Sequence, residues 1–115
     1  MPVPNRRESY RVAYPLRASP TFAWNGVTAR VIDCSEHGFC AQLDPHRTLP
    51  AIGSEIAGRI VFLDGSSVDV HGVVRHEREH VIGVQLENPG VPYRVLLWEQ
   101  VRLRALESGW VEVGD

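Results

Sequence analysis

Phe22-Ala23-Trp24-Asn25-Gly26-Val27-Thr28-Ala29-Arg30-Val31-Ile32-Asp33-Cys34-Ser35-Glu36-His37-Gly38 is the stretch that decides the fold of this chain. Asn25-Gly26 stands between an aromatic run and a run rich in β-branched residues. Both turn residues accept positive φ, so the dipeptide is the strongest short signal of a β-hairpin. The reading is a strand over Phe22–Trp24, a second over Val27–Ile32, and a further turn over Asp33–Gly38.

The same pattern continues outward. Phe39–Leu43 reads as a short strand and Asp44–Pro50 as a loop. Glu55–Leu63 and Val68–Arg75 read as strands joined by a hairpin turn at Asp64-Gly65-Ser66, and Val81–Leu86 as a further strand. Short strands at this spacing, separated by turn residues, predict a mainly β barrel or sandwich. The last element differs. Pro92 suits the first position of a helix, and Tyr93–Leu106 contains neither Gly nor Pro. Tyr93, Leu97 and Val101 form one apolar stripe with Trp98 beside it. Val95, Leu96, Leu103 and Leu106 fall on another side. A helix apolar on two sides has two things to cover it: the barrel, and either a second subunit, a target protein, the N-terminal arm or the Trp110-Val111-Glu112-Val113 tail. Gly109 fits a helix-terminating position.

At 115 residues, 43% of them hydrophobic, the chain is one domain able to build its own core. Its net charge of −2 provides no global field for long nucleic acid. All 12 basic residues are Arg, the planar, bidentate and stackable cation. Four of them, Arg6, Arg7, Arg11 and Arg17, crowd the first segment. Met1–Leu16, which holds the first three of these, carries Pro2, Pro4 and Pro15 and reads as an extended, mobile arm. No apolar h-region follows Met1 and no run reaches membrane-spanning length. These features predict a cytoplasmic protein with Cys34 and Cys40 reduced and no membrane insertion.

Two motifs carry the functional reading. Asn5-Arg6-Arg7-Glu8-Ser9-Tyr10-Arg11 contains R-x-x-x-R with a further arginine in front. Asp33-Cys34-Ser35-Glu36-His37-Gly38 is D-x-S-x-x-G. Either motif alone is common. Paired in this order, they resemble the PilZ domain, a receptor module for the bacterial second messenger cyclic di-GMP. Val73-Val74-Arg75, Val81-Ile82-Gly83-Val84-Gln85-Leu86 and the helix over Val91–Leu106 extend the resemblance from about Arg6 to about Leu106. Leu86 replaces the usual Phe, and Arg75 lies near a place where some members have a tryptophan beside the ligand.

The resemblance implies a small six-stranded antiparallel β-barrel closed by a C-terminal α-helix. The implied layout is a flexible arm over 1–16, barrel and helix over 17–107, and a tail over 108–115. It implies cyclic di-GMP as ligand, no other cofactor, no metal, and regulation of a downstream protein in motility or biofilm control. The site residues it implies are Arg7 and Arg11 on guanine and phosphate, with Arg6 as a further ligand, and Asp33, Ser35 and Gly38 on the other polar edge. The chemistry agrees. Guanine O6 and N7 suit an arginine fork, phosphates take charge-assisted bonds from arginine, and an ionised Asp accepts from guanine N1–H and N2–H₂. Gly38 lets the backbone approach the ligand without a Cβ in the way. His37, inside the turn, and Arg75 are further candidates. His71 and Arg75 share a face of one strand, which reads more simply as a solvated face.

Other readings fare worse. Cys34, His37 and Cys40 spell C-x-x-H-x-x-C, but a closed zinc site needs four ligands, and small apolar packing suits both cysteines better. Arg75-His76-Glu77-Arg78-Glu79-His80 reads as a polar turn between strands, so H-E-R-E-H resembles the zincin H-E-x-x-H only superficially, without the helix that puts both histidines on one face. No supported nucleophile–base pair or phosphate loop marks an enzyme. A small barrel that binds RNA is disfavoured by net charge and few exposed aromatics. A degenerate PilZ-like adaptor that binds only protein is the alternative function. A homodimer through the Val91–Leu106 helix is a further expectation.

Overall fold

Asn25 and Gly26 adopt φ of 49° and 75°, and the hairpin they form starts the sheet. The computed structural model describes residues 10–108. In chain order the elements are β1 (Arg11–Ala13), a 3-10 turn (Leu16–Ala18), β2 (Thr21–Trp24), β3 (Val27–Ser35), β4 (Gly38–Gln42), β5 (Glu55–Val61), β6 (Ser67–Arg78), β7 (Val81–Leu86) and α1 (Tyr93–Ser108). The strand order is β1-β3-β2-β5-β6-β7-β4, and a further β3–β4 pairing closes the ring. The fold is therefore a closed antiparallel barrel of six strands, β2–β7, with β1 as an extra strand and one C-terminal helix. Closure leaves the barrel strands with few bare edges.

β3 is the organising strand. Its first half pairs with β2, and its last three residues pair with β1: Arg11 opposite Ser35, Val12 opposite Cys34, Ala13 opposite Asp33. On its other edge the same residues meet β4. One inner rung runs Val12–Cys34–Phe39–Val84–Val74 across five strands, and every member is buried. Phe22 stacks on Trp24 at 4.9 Å and meets Phe39 at 4.7 Å, which forms the aromatic centre of the core.

Three sequence expectations change. Residues 1–9 of the expected arm lie outside the described residues, as do Gly109 and the tail from Trp110. The rest of the arm is part of the fold. Val12 is fully buried and Tyr14 nearly so, and these two apolar anchors, one and three residues after Arg11, hold the segment on β3. Asp33–Ser35 belongs to β3 rather than to a turn, so only Glu36-His37 connects β3 to β4. β6 runs on to Arg78, past the expected polar turn. The actual turn is Glu79-His80, with φ of 52° and 68°, so most of the H-E-R-E-H run is strand.

α1 lies against β1 and β3. Leu96, Leu103 and Leu106 are buried. Glu99 is on this inner face too. It accepts the Tyr14 hydroxyl at 2.7 Å and an ion pair from Arg102, which satisfies a buried carboxylate. The opposite face stays open: Leu97, Trp98 and Val101 are 43%, 71% and 57% exposed. Arg94 joins them around a shallow apolar depression. α1 begins at Tyr93, and the Pro92 carbonyl accepts from Val95 N–H and Leu96 N–H. Among the described residues no helix is long and apolar enough to cross a membrane.

Two buried acids make the fold sensitive to alkali. Burial pushes the Cys34 thiol from 9.0 up to about 12. Burial and then the bond to Glu99 raise the Tyr14 phenol as well. Both groups hold their protons more tightly folded than unfolded. Their contribution is whole below the unfolded values, 9.0 for the thiol and 10.0 for the phenol. It is lost as the pH rises from there towards the folded values, by up to roughly 1.4 kcal/mol per pH unit for each group. The thermal midpoint is expected to be steady from pH 7 to 8.5 and to fall steeply above pH 9. A flat profile to pH 11 would contradict the burial of these groups.

Candidate functional site

The outer face beside β1 is built by two irregularities in the strands. Regular alternation after Ala29 and Val31, both buried, would send Asp33 into the core. The register shifts between Val31 and Asp33, so Asp33 turns outward and Cys34 turns in. A second shift lies between Val74 and His76 and turns His76 outward after the buried Val74. Bulges re-aim side chains in this way.

The result is a pair of outward rungs on either side of the buried one. The first is Asp33–Cys40–Gly83–His76, and the second is Arg11–Ser35–Gly38–Gln85–Val73. Between them runs a groove of about 270 Å³ lined by Arg11, His37, Gly38, Cys40, Arg75, His76, Gly83 and Gln85. A second, more open depression continues from His37 and Gln85 to Glu87 and Asn88.

Arg11 Nη1 lies 2.5 Å from Asp33 Oδ1, with both side chains partly exposed. Ser35 is buried, and its hydroxyl donates to the Gly38 carbonyl at 3.1 Å. That bond ties the end of β3 to the start of β4 and shapes the two-residue turn. Gly38 is a packing requirement: a Cβ there would lie 2.8 Å from the Val84 carbonyl of β7. His37 is half-buried at the groove's end, and its carbonyl accepts from Leu86 N–H at 2.7 Å. Arg75 Nε donates to Gln85 Oε1 at 2.8 Å.

Of the residues read as a site from sequence, Arg11, His37, Gly38 and Arg75 line one groove. Asp33 holds Arg11 at its edge, and Ser35 supports Gly38 from behind. Arg6 and Arg7 lie outside the described residues. His71 is turned to carboxylates instead, 2.9 Å from Glu87 and 3.4 Å from Glu55, as a solvated face would have it. Cys34 points into the core while Cys40 is on the outward rung, so C-x-x-H-x-x-C does not converge. Burial, and then the nearby Asp33 charge, raise the Cys40 thiol, which keeps it protonated at neutral pH. Gln85, Gly83 and His76 were not read as site residues; the bulge that places His76 leaves no mark in composition.

The PilZ domain family model matches residues 5–102. The chain belongs to the PilZ domain family. The match covers the R-x-x-x-R segment, all seven strands and most of α1. PilZ domains are binding and adaptor modules rather than enzymes. No curated protein matches the chain closely enough to count as a relative.

Proposed function

We propose that this PilZ domain is a cyclic di-GMP receptor that changes conformation on binding and regulates a partner protein in bacterial signalling. The observation that carries the reading is the meeting of Arg11 and Asp33, from segments 22 positions apart, at the edge of one groove floored by glycine. Asp33 is the guanine selector: its carboxylate accepts from N1–H and N2–H₂. Arg11, with Arg7 and Arg6 before it, takes phosphate or the O6/N7 edge. His37 and Arg75 border the same space.

The Arg11–Asp33 pair suits an exchange. A partly exposed ion pair contributes about 0–1 kcal/mol, whereas a bidentate arginine–guanine contact is worth roughly 1–3 kcal/mol. Guanine and phosphate therefore compete well for both partners. Arg11 and Tyr14 share one short segment, and Tyr14 is bonded to Glu99 of α1. A shift of Arg11 onto ligand thus reaches the helix. The outward face at Leu97, Trp98 and Val101 is the surface this reading assigns to the downstream protein or to a second copy of the chain.

Selectivity tests the reading. Adenine has an acceptor at N1 where guanine has a donor, so Asp33 would face an unpaired lone pair. A mismatched polar contact of this kind is heavily penalised. In equilibrium dialysis, cyclic di-AMP is expected to bind at least about 100-fold more weakly than cyclic di-GMP, and Asp33→Ala to narrow the gap. Equal binding of the two would reduce the site to phosphate attraction.

A further inference from the structure

The outer face of α1 is apolar in its middle and basic at both ends. Leu97, Trp98 and Val101 stand in solvent, and with Arg94 they line a shallow depression of about 290 Å³. Arg104, one turn beyond Val101, is exposed as well. We infer that this face is the seat of the chain's own C-terminal tail. Trp110, Val111 and Val113 cover the apolar middle, and Glu112 and Asp115 answer the arginines. The seat of the tail does not depend on whether the groove binds cyclic di-GMP.

Charge selects this occupant over the others. Gly109–Asp115 holds a tryptophan, two valines and two acids, with no basic residue. Among the described residues neither Arg94 nor Arg104 is in an ion pair, so both guanidinium groups remain for an acidic segment. A second copy of the face fits poorly. Antiparallel helices would set Arg94 against Arg104, and parallel helices would set each arginine against itself; like charges across an interface are penalised. The N-terminal segment brings Arg6 and Arg7, again of the wrong sign.

Direction and reach agree with charge. Position 108 follows Val101 by seven residues, so α1 ends on the same side of the helix. Gly109 comes next, the residue type best able to reverse the chain at a helix end. From position 108 back to Trp98 is about 15 Å along the helix, and the five residues to Val113 span about 17 Å when extended. Arg94 lies about 21 Å back, within the roughly 24 Å that the seven residues to Asp115 can cover. A one-glycine connection also keeps the tail at high effective concentration over the face. A protein that docks here meets a surface open for only part of the time, and its apparent affinity falls by that fraction.

The test uses the whole chain with a nitroxide spin label on Gly114→Cys, a position outside the expected contacts. Cys40→Ser removes the half-buried native thiol, and Cys34 is buried in the core. Amide NMR signals of Leu97 and Val101 are expected to be broadened by the label. The broadening should be lost in Trp98→Ala and in Arg94→Glu, and kept in Trp98→Phe. Both substituted positions are exposed, so each variant should keep the thermal midpoint of the labelled parent within a few degrees. A second sample mixes spin-labelled chains without isotope enrichment and enriched chains without label, and reports only contacts between copies; it should show no broadening. Broadening that survives both Trp98→Ala and Arg94→Glu would mean that the tail merely sweeps past the helix, and would overturn the proposal. Broadening confined to residues 106–108 would overturn it too. Equal broadening in the mixed sample would give the face to a second copy instead.

Discussion

Replacing Arg7 and Arg11 together by alanine is expected to abolish measurable cyclic di-GMP binding at concentrations that saturate the parent protein. On the proposed function each arginine would make charge-assisted contacts of the kind worth roughly 1–3 kcal/mol at a guanine edge, so losing both would cost on the order of a hundredfold to ten-thousandfold in affinity. The fold should survive. Arg11 is on the outer face of β1 with its side chain partly in solvent, and Val12 and Tyr14, not Arg11, anchor that strand. Losing the Arg11–Asp33 pair costs about 0–1 kcal/mol of stability. Fluorescence-detected titration of the double variant, beside its thermal midpoint, separates the two effects. Parent-like affinity in a folded double variant would mean that the ligand does not sit on this edge.

Phe22→Ala is expected to act in the opposite way, on stability and not on the site. Phe22 is fully buried between Trp24 and Phe39, at the centre of the barrel. Truncating a buried phenylalanine costs about 3–5 kcal/mol through lost burial and the cavity left behind. Stability of small domains is about 5–15 kcal/mol in total, so this single change removes a large share of it. A urea titration should show the midpoint fall with little change in slope. The fraction that remains folded should bind ligand like the parent, because Phe22 lines no part of the groove. A loss below about 1 kcal/mol would show that the three-ring cluster is not the core that the barrel packs on.

These two variants mark what sequence reading can and cannot reach here. The hairpins at Asn25-Gly26 and Asp64-Gly65 were legible because their turn chemistry is local: φ at Asn25, Gly26 and Gly65 is positive, and few other residues accept that. The two-faced helix was legible from its 3.6 periodicity, which separated Leu96, Leu103 and Leu106 from Leu97 and Val101. Glu99 was not legible. A carboxylate on the buried face interrupts the pattern, and its partner Tyr14 is 85 positions away.

β1 escaped notice for a related reason. Three residues beside prolines carry no periodic signal, and only the long-range pairing with Asp33–Ser35 makes them a strand. The site divides along the same line. Asp33, Ser35, Gly38 and Arg11 were legible as motif positions. Their placement by the bulge at Ile32, and the arrival of His76 beside Gly83, depend on register, which composition does not record. The Glu79-His80 turn misled for its own reason. Positive φ at two non-glycine residues is uncommon, so the polar run before it read as loop rather than as strand.

The proposed coupling from site to surface rests on the same geometry. Arg11, Val12 and Tyr14 lie on one short segment: Arg11 lines the groove of the proposed ligand, Val12 anchors the core and Tyr14 bonds to α1. A receptor needs such a connection if its output is on the helix, because allosteric effects require an element that both sites bias.

Calorimetric titration of the full chain with cyclic di-GMP decides whether this PilZ domain is a receptor for that nucleotide. Saturable, exothermic binding that weakens as salt rises is expected, since arginine–phosphate pairs would supply part of it. The absence of any saturable heat at millimolar ligand, with the protein folded by circular dichroism, would contradict it.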